Sequence, residues 1–179
     1  METKEELRQL IGQRKQSYLS ETRKKTAADR LLKILRKRDD FLQAETILLY
    51  AALPDEVPTQ HLWEEWQDKR LLLPTISEKQ MFVRELDVSF SLQVGKFGIF
   101  EPVGNNFTSL EKIDIALVPG IAFDKQFHRC GRGKGYYDTF FSHPQLGRLK
   151  KVGLCFDFQI VENVPIESHD HILDDLIIV

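Results

Sequence analysis

Residues 130–138, CGRGKGYYD, combine the residue types that bind phosphate groups in proteins. Glycines alternate with cations along this stretch, as Gly131, Arg132, Gly133, Lys134 and Gly135. Because glycine has no Cβ, successive backbone N–H groups can turn toward one anion, and the two cations add full positive charges. A helix predicted to begin near Tyr136 would direct the positive end of its dipole to the same point. The stretch therefore predicts a phosphate-binding loop.

This loop matches neither of the two common nucleotide fingerprints. A Walker A loop has Ser or Thr directly after Gly-Lys, whereas Gly135 follows Lys134 here. The G-x-G-x-G spacing also differs from the G-x-G-x-x-G of dinucleotide loops. From the chemistry of the loop alone, a solvated surface turn remains the alternative interpretation.

Asp138 follows the loop and would repel a bound phosphate unless a cation lay between them. Proteins use Mg²⁺ in this way and hold it by one or two carboxylates together with phosphate oxygens. We therefore predict that Asp138 is a magnesium ligand and expect the second carboxylate from ESHDHILDD, residues 167–175. The alternative is that Asp138 is an ordinary acid in the first turn of a helix, a position that the helix dipole favours.

The composition is typical of one globular domain, because the chain has 179 residues, of which 42% are hydrophobic, and a net charge of -2. We expect a single domain over residues 1–179. The balanced charge argues against a general nucleic-acid-binding protein, which needs a basic face. No apolar run approaches the ~20 residues that span a bilayer, and the charged N-terminus lacks the apolar centre of a signal peptide. We therefore expect a cytoplasmic monomer with reduced cysteines and with no membrane or nucleic-acid partner.

Hydrophobic patterns predict the elements that position the loop. Helices are predicted at 3–19, at 27–38 and after Pro58, where apolar residues recur at helical spacing. Other patterns predict a Gly- and Pro-rich loop at 95–106 and strands at 46–53, 70–76, 81–86, 88–94, 113–120, 151–158 and 176–179. This order predicts an α/β fold, with a mostly parallel central sheet flanked by helices in a three-layer sandwich with Rossmann-like organisation. Such sheets bind ligands beyond the carboxyl ends of their strands, where loops 54–59 and 119–138 fall.

Residues 118–138, VPGIAFDKQFHRCGRGKGYYD, resemble the signature of the 5-formyltetrahydrofolate cyclo-ligase family. Four further segments resemble family motifs in the same order: KEELR at 4–8, DEVPT at 55–59, FGIFEP at 97–102 and ESHDHILD at 167–174. Two positions depart from the family pattern, with Phe127 in place of Gly and Cys130 in place of Leu. We expect Phe127 to give the chain a different backbone path just before the loop, and Cys130 to be a packing residue.

The resemblance implies an enzyme that uses ATP and Mg²⁺ to convert 5-formyltetrahydrofolate to 5,10-methenyltetrahydrofolate, ADP and phosphate. ATP phosphorylates the formyl oxygen, N10 attacks the activated carbon, and phosphate leaves. The protein must align the γ-phosphoryl group with that oxygen and stabilise the developing charge. Its implied partners are two small molecules, ATP and 5-formyltetrahydrofolate. From the residues alone, a small-molecule kinase and a non-catalytic binding protein remain alternative functions.

The resemblance also implies a role for individual residues. The residues implied to bind ATP are Lys4, Arg8, Arg129, Gly131, Arg132, Gly133, Lys134, Gly135, Tyr136 and Tyr137. Among these, Arg132 and Lys134 are implied to be catalytic. The residues implied to contact the folate are Ala51, Glu56, Met81, Phe97, Arg132 and Tyr136. Asp138 and Asp174 are implied to hold Mg²⁺, with Asp175 as the alternative to Asp174.

Ordinary roles compete with several of these assignments. Lys4 and Arg8 lie four positions apart, so they share a helix face, and solvated surface cations are the alternative for both. Glu56 is alternatively an ordinary loop acid. Met81 and Phe97 are residue types that more often pack in a core than bind a ligand.

Overall fold

The structure is a computed structural model that describes residues 3–78, 80–86, 92–95, 98 and 100–179. It contains the α-helices α1 Lys4–Tyr18, α2 Glu21–Leu35, α3 Asp39–Gln43, α4 Leu62–Glu65 and α5 Tyr136–Phe141. The strands are β1 Thr46–Leu48, β2 Arg70–Ser77, β3 Gln80–Glu85, β4 Leu92–Val94, β5 Phe100–Pro102, β6 Ile115–Val118, β7 Ala122–Phe123, β8 Arg129–Cys130, β9 Lys150–Cys155 and β10 Asp175–Ile178. Phe97 and most of the strand predicted at 88–94 lie outside the described residues.

The central sheet has six strands in the order β10-β9-β6-β1-β2-β3. The strands from β10 to β2 are parallel to their neighbours, and β3 pairs antiparallel with β2. Numbered along the chain, the parallel strands have the order 2-1-3-4-5, one of the two common doubly wound arrangements. The predicted α/β fold with a mostly parallel sheet is confirmed. Its strand order reverses between β1 and β6.

Helices cover both faces of this sheet. Successive strand residues point to opposite faces, so Ile47 and Leu71 belong to one buried cluster and Leu48 and Leu72 to another. The first cluster includes buried residues of α1, α2 and α4, whereas the second includes buried residues of α5. The sandwich therefore has the three predicted layers, and its parallel strands are buried on both sides.

Local capping signals begin the two long helices. The Thr3 hydroxyl accepts a hydrogen bond from the Glu6 backbone N–H while the Glu6 carboxylate accepts one from the Thr3 N–H, a capping box that begins α1. The Ser20 hydroxyl caps α2, so this helix begins at Glu21 and the predicted start at 27 is wrong. Among the described residues, no helix is long and apolar enough to cross a bilayer.

Two predicted boundaries near the sheet also differ from the structure. The strand predicted at 46–53 ends at Leu48, although residues 49–51 are also buried. The Leu49 N–H still donates to the Leu72 carbonyl at 2.8 Å, and the chain then leaves the sheet. The loop predicted at 95–106 contains β5, which pairs antiparallel with β4. Residues of both segments therefore lie at the end of the sheet where loops 54–59 and 119–138 also lie.

Candidate active site

A cavity of about 910 Å³ opens beyond the carboxyl ends of β1 and β6. Tyr50 and Ala51 line it after β1, and Pro119 and Gly120 line it after β6. This is the point where the strand order reverses, which is where doubly wound sheets bind their ligands. Helix α1 adds Lys4 to the same cavity.

The cavity brings together most of the residues predicted for the site. The predicted nucleotide ligands that line it are Lys4, Arg8, Arg129, Gly131, Arg132, Gly133, Lys134, Gly135, Tyr136 and Tyr137. The predicted folate contacts that line it are Ala51, Glu56, Met81, Arg132 and Tyr136. Phe97 is a predicted folate contact that lies outside the described residues. Asp138 also lines the cavity, whereas Asp174 does not.

The glycine loop has the backbone shape that its sequence requires. Gly133 and Gly135 have φ angles of 85° and 66°, in the left-handed region that glycine favours. Arg8 of α1 packs on the loop, because its Nε donates to the Gly131 carbonyl at 2.9 Å. A Cβ at Gly133 would lie 3.3 Å from Nη2 of Arg8, so a larger residue there would crowd this cation.

Arg129 is a buried cation that Asp138 holds in place. Its Nη2 donates to Asp138 Oδ2 at 2.8 Å, and its guanidinium lies 5.4 Å from the centre of the Tyr137 ring. Asp138 Oδ1 accepts from the backbone N–H of His171 at 3.2 Å. Both carboxylate oxygens of Asp138 thus already accept a hydrogen bond from the protein. Asp138 positions Arg129 at the wall of the cavity.

Lys4 is held by acids from the far end of the chain. Its Nζ donates to Asp170 Oδ2 at 2.6 Å and to Glu167 Oε2 at 3.3 Å. Partial burial opposes the charge of Lys4, but these hydrogen bonds outweigh it and raise the pKa of Lys4 above its usual value. The carboxylates of Glu167 and Asp170 and the ring of His169 lie within 4.8 Å of one another, close enough to share a metal ion.

Arg132 reaches from the loop to the segment that follows β1. Its guanidinium donates to Glu56 Oε1 at 3.1 Å and also to Asp55. Lys15 of α1 donates to the same Asp55 carboxylate, and although burial opposes it, these hydrogen bonds lower the pKa of Asp55. Glu56 Oε2 accepts from the Leu53 N–H at 3.0 Å, so both Glu56 oxygens have partners within the protein.

An apolar wall with one embedded acid completes the cavity. The apolar residues are Pro74, Ile76, Met81 and Phe100, from β2, β3 and β5. Glu101 of β5 lies among them, is 7% exposed, and accepts from the Thr75 hydroxyl at 2.7 Å. Glu101 belongs to the motif FGIFEP, but neither this motif nor the sequence around Asp55 and Asp170 predicts a role for these three acids. The acid in that motif, followed by Pro102, was the signal that could have identified Glu101.

Asp174 lies at the opposite edge of the sheet from the cavity. Its N–H donates to the Lys151 carbonyl at 2.8 Å, and its Oδ2 accepts from the Lys151 N–H at 2.7 Å. These contacts place it where β9 and β10 begin, whereas the cavity lies where β1 and β6 end. Asp175, the alternative, pairs there with Arg38 at 2.7 Å. The predicted metal pair of Asp138 and Asp174 is therefore not brought together.

The two departures from the family signature lie just before the glycine loop, at Phe127 and Cys130. Phe127 has a φ angle of 67°, in the left-handed region that glycine favours. A glycine could adopt the same conformation without strain, and the expected change of backbone path stays a prediction. Cys130 is fully buried, and burial raises the pKa of its thiol, which keeps it protonated at neutral pH.

Comparisons with known proteins show which family this chain resembles. The sequence pattern of the 5-formyltetrahydrofolate cyclo-ligase family matches residues 1–179. Over 146 residues, the chain is 35% identical to the 5-formyltetrahydrofolate cyclo-ligase of Haemophilus influenzae. The aligned part covers 76% of each chain. Over 136 residues, the chain is 29% identical to the protein of that name from Escherichia coli, covering 72% of this chain and 75% of the other.

Two solved structures are also similar. A 5,10-methenyltetrahydrofolate synthetase from Aquifex aeolicus has a TM-score of 0.82 at 32% identity, covering 98% of this chain and 89% of that one. One from Mycoplasma pneumoniae has a TM-score of 0.76 at 23% identity, covering 97% and 96%, and shows the same fold. With a family match over its whole length and a glycine loop at the carboxyl edge of its sheet, the chain belongs to the 5-formyltetrahydrofolate cyclo-ligase family.

Proposed function

We propose that the protein converts 5-formyltetrahydrofolate to 5,10-methenyltetrahydrofolate with hydrolysis of ATP to ADP and phosphate. The observation that carries this proposal is one cavity of about 910 Å³ in which a glycine loop and five cations face an apolar wall. The cationic side suits a triphosphate, because backbone N–H groups and full charges converge there. The apolar side suits the flat pterin ring of a folate.

The reaction needs positioning more than covalent help from the protein. Phosphorylation turns the formyl oxygen into a good leaving group. N10 then bonds to the formyl carbon and loses its proton to solvent, and the bond from that carbon to the phosphate oxygen breaks, which releases phosphate. Arg132 and Lys134 lie between the loop glycines, and we expect their charges to stabilise the transferred phosphoryl group. Lys134 is exposed and lines the cavity, so its charge is available to the nucleotide.

A role for Glu56 follows from its contacts. Its carboxylate accepts from the Arg132 guanidinium and from the Leu53 N–H, so it fixes the direction of Arg132. A direct contact between Glu56 and the folate stays a prediction. The same holds for Ala51, Met81 and Tyr136, which line the cavity.

We further propose that Mg²⁺ accompanies ATP. Oxygen ligands suit this hard cation, and the carboxylates of Asp138, Glu167 and Asp170 line the cavity near the cations, whereas Asp174 does not. Bound Mg²⁺ would neutralise part of the phosphate charge. Asp138 and Asp170 also orient Arg129 and Lys4.

The test measures two products at once. The protein is mixed with ATP, Mg²⁺ and 5-formyltetrahydrofolate, and both the absorbance of the methenyl product and the release of phosphate are followed. We expect equal amounts of both. A phosphorylated folate without free phosphate would indicate a kinase, and a thermal shift with ligand but no turnover would indicate a binding protein.

A pair of lysine variants localises the reaction to the loop. Lys134→Ala should lower turnover by about a hundredfold, as removal of one charge-stabilising donor does in other enzymes. Lys125→Ala is the matched control, because Lys125 is exposed and does not line the cavity. Equal turnover of the two variants would mean that the phosphate site lies away from this loop.

A single domain, a monomeric state and a cytoplasmic location stay predictions.

A further inference from the structure

Glu101 is the acid on the apolar side of the cavity. It is 7% exposed on β5 and lines the cavity beside Pro74, Ile76, Met81 and Phe100. The hydroxyl of Thr75, itself buried, donates to its Oε2 at 2.7 Å and fixes the direction of the carboxylate. Glu101 is therefore placed like the few polar groups that determine the orientation of a ligand in an otherwise apolar site.

The fold makes room for this carboxylate at the end of β4. A Cβ at Gly95 would lie 2.2 Å from Glu101 Cδ and 2.4 Å from its Oε1, so no other residue fits at position 95 without moving the acid. The carboxyl group thus packs directly against the backbone of Gly95. Strands β2, β4 and β5 together determine where it lies.

The electrostatic surroundings of Glu101 differ from those of the other cavity acids. Asp138, Asp170 and Glu56 each form an ion pair with a cation of the cavity. Across the part of the chain that the structure describes, Glu101 has a hydroxyl donor and no ion pair. A carboxylate can accept about four hydrogen bonds, and burying it with few donors is costly. With respect to the described residues, Glu101 therefore retains acceptor capacity at the wall of the cavity.

The folate supplies donors that match this capacity. Its pyrimidinone ring carries a 2-amino group and an adjacent N3–H, two parallel donors spaced like the two oxygens of a carboxylate. The two faces of this flat ring are apolar, and the side chains around Glu101 are apolar as well. The cations that suit the triphosphate come instead from α1 and from residues 129–134.

We propose that the Glu101 carboxylate accepts hydrogen bonds from the 2-amino group and N3–H of the folate and determines which end of the substrate enters the cavity. We assign this role to Glu101 and not to Glu56, because both Glu56 oxygens already accept hydrogen bonds, from Arg132 and from the Leu53 N–H. The inference rests on the proposed reaction. For that reason, wild-type turnover is measured separately, and its absence would count against the reaction and not against Glu101.

The test compares two ligands and two variants by calorimetry without ATP. The ligands are 5-formyltetrahydrofolate and its analogue with methyl in place of the 2-amino group. Wild type should bind the analogue at least tenfold more weakly, since a hydrogen bond to a charged group is lost. Glu101→Gln should bind 5-formyltetrahydrofolate about ten- to a hundredfold more weakly and should no longer distinguish the two ligands. The KM for ATP should stay within about twofold.

Glu111→Gln is the matched control, because Glu111 is exposed and lies outside the cavity, and it should behave as wild type. Equal binding of the two ligands by wild type overturns the proposal. So does a Glu101→Gln protein that still prefers the natural ligand by the wild-type factor. Should this variant not fold, Glu101→Asp keeps the charge but withdraws the carboxylate by one methylene group. Unchanged folate binding by that variant would also overturn the proposal.

Discussion

Asp138→Asn should destabilise the fold, because Asp138 is the carboxylate partner of a buried guanidinium. The side chain of Arg129 is 5% exposed, and its Nε has no hydrogen-bond partner among the described residues. Removing one member of such a pair leaves an uncompensated charge and costs about 3–5 kcal/mol. Asn keeps the oxygen that accepts from the His171 N–H, so the loss falls on Arg129. For a chain of this size, Tm should fall by roughly 10 °C.

The assay is unfolding in urea followed by tryptophan fluorescence, since Trp63 and Trp66 are both buried. A double variant, Arg129→Met with Asp138→Leu, removes both charges and should regain most of the lost stability. Asp68→Asn is the matched control, because Asp68 is exposed and outside the cavity. Activity of the Asp138→Asn protein is measured at several Mg²⁺ concentrations on the same preparation.

Two results together would refute this account of Asp138. One is a free energy of unfolding within about 0.5 kcal/mol of wild type, the range of ordinary surface substitutions. The other is a raised requirement for Mg²⁺ in turnover. Asp138 would then act as a metal ligand, and another group would have to compensate the buried charge of Arg129.

Three further outcomes are expected. Asp174→Ala should leave turnover and its Mg²⁺ dependence within about twofold of wild type in steady-state assays, because Asp174 lies at the edge opposite the cavity. Phe127→Gly should be more stable to urea than Phe127→Ala by about 1 kcal/mol, since both lose the ring but only Gly relieves the left-handed backbone. The fold raises the pKa of Lys4 above 10.5, so the stability of the Lys4–Asp170 pair is present below that pH and lost above it. Asp170→Asn should therefore show a smaller loss of stability at alkaline pH than wild type in urea titrations, and an equal loss would contradict this pairing.

The sequence predicted the parts of the fold that depend on local patterns. Buried parallel strands are continuous apolar runs, which is why β6 and β9 were found close to their true bounds. The strand predicted at 46–53 was too long, because burial alone does not distinguish a paired strand from a buried loop. The start of α2 is not predicted because its cap, Ser20, precedes a polar first turn, Glu21 to Lys24, rather than an apolar one.

The residues of the site can be divided in the same way, into those that a local sequence pattern predicts and those that only the fold brings together. The glycines and cations of residues 131–135 are contiguous, so their chemistry could be read directly from the chain. The acids that hold the cations come from distant positions, as in the contact of Lys4 with Asp170, which leaves no pattern in the sequence. The choice of Asp174 relied on its spacing from Asp170 along the chain, and the structure does not bring Asp174 to the cavity. The chain between Asp170 and Asp174 runs from the cavity to the amino end of β10. Their spacing along the chain therefore carries no information about the distance of Asp174 from the cavity.

The origin of these acids has a consequence for how the site assembles. Lys4 is near the N-terminus and its partner Asp170 near the C-terminus, and the pair meets at the wall of the cavity. Arg8 of the same helix supports the glycine loop through the Gly131 carbonyl, and Arg132 ties that loop to Asp55. Because a salt bridge positions a cation only when both partners are in place, the full set of phosphate-binding charges requires both chain ends to be docked. Binding of a triphosphate should therefore stabilise the docking of α1 and of residues 167–170 more than it stabilises the core of the sheet.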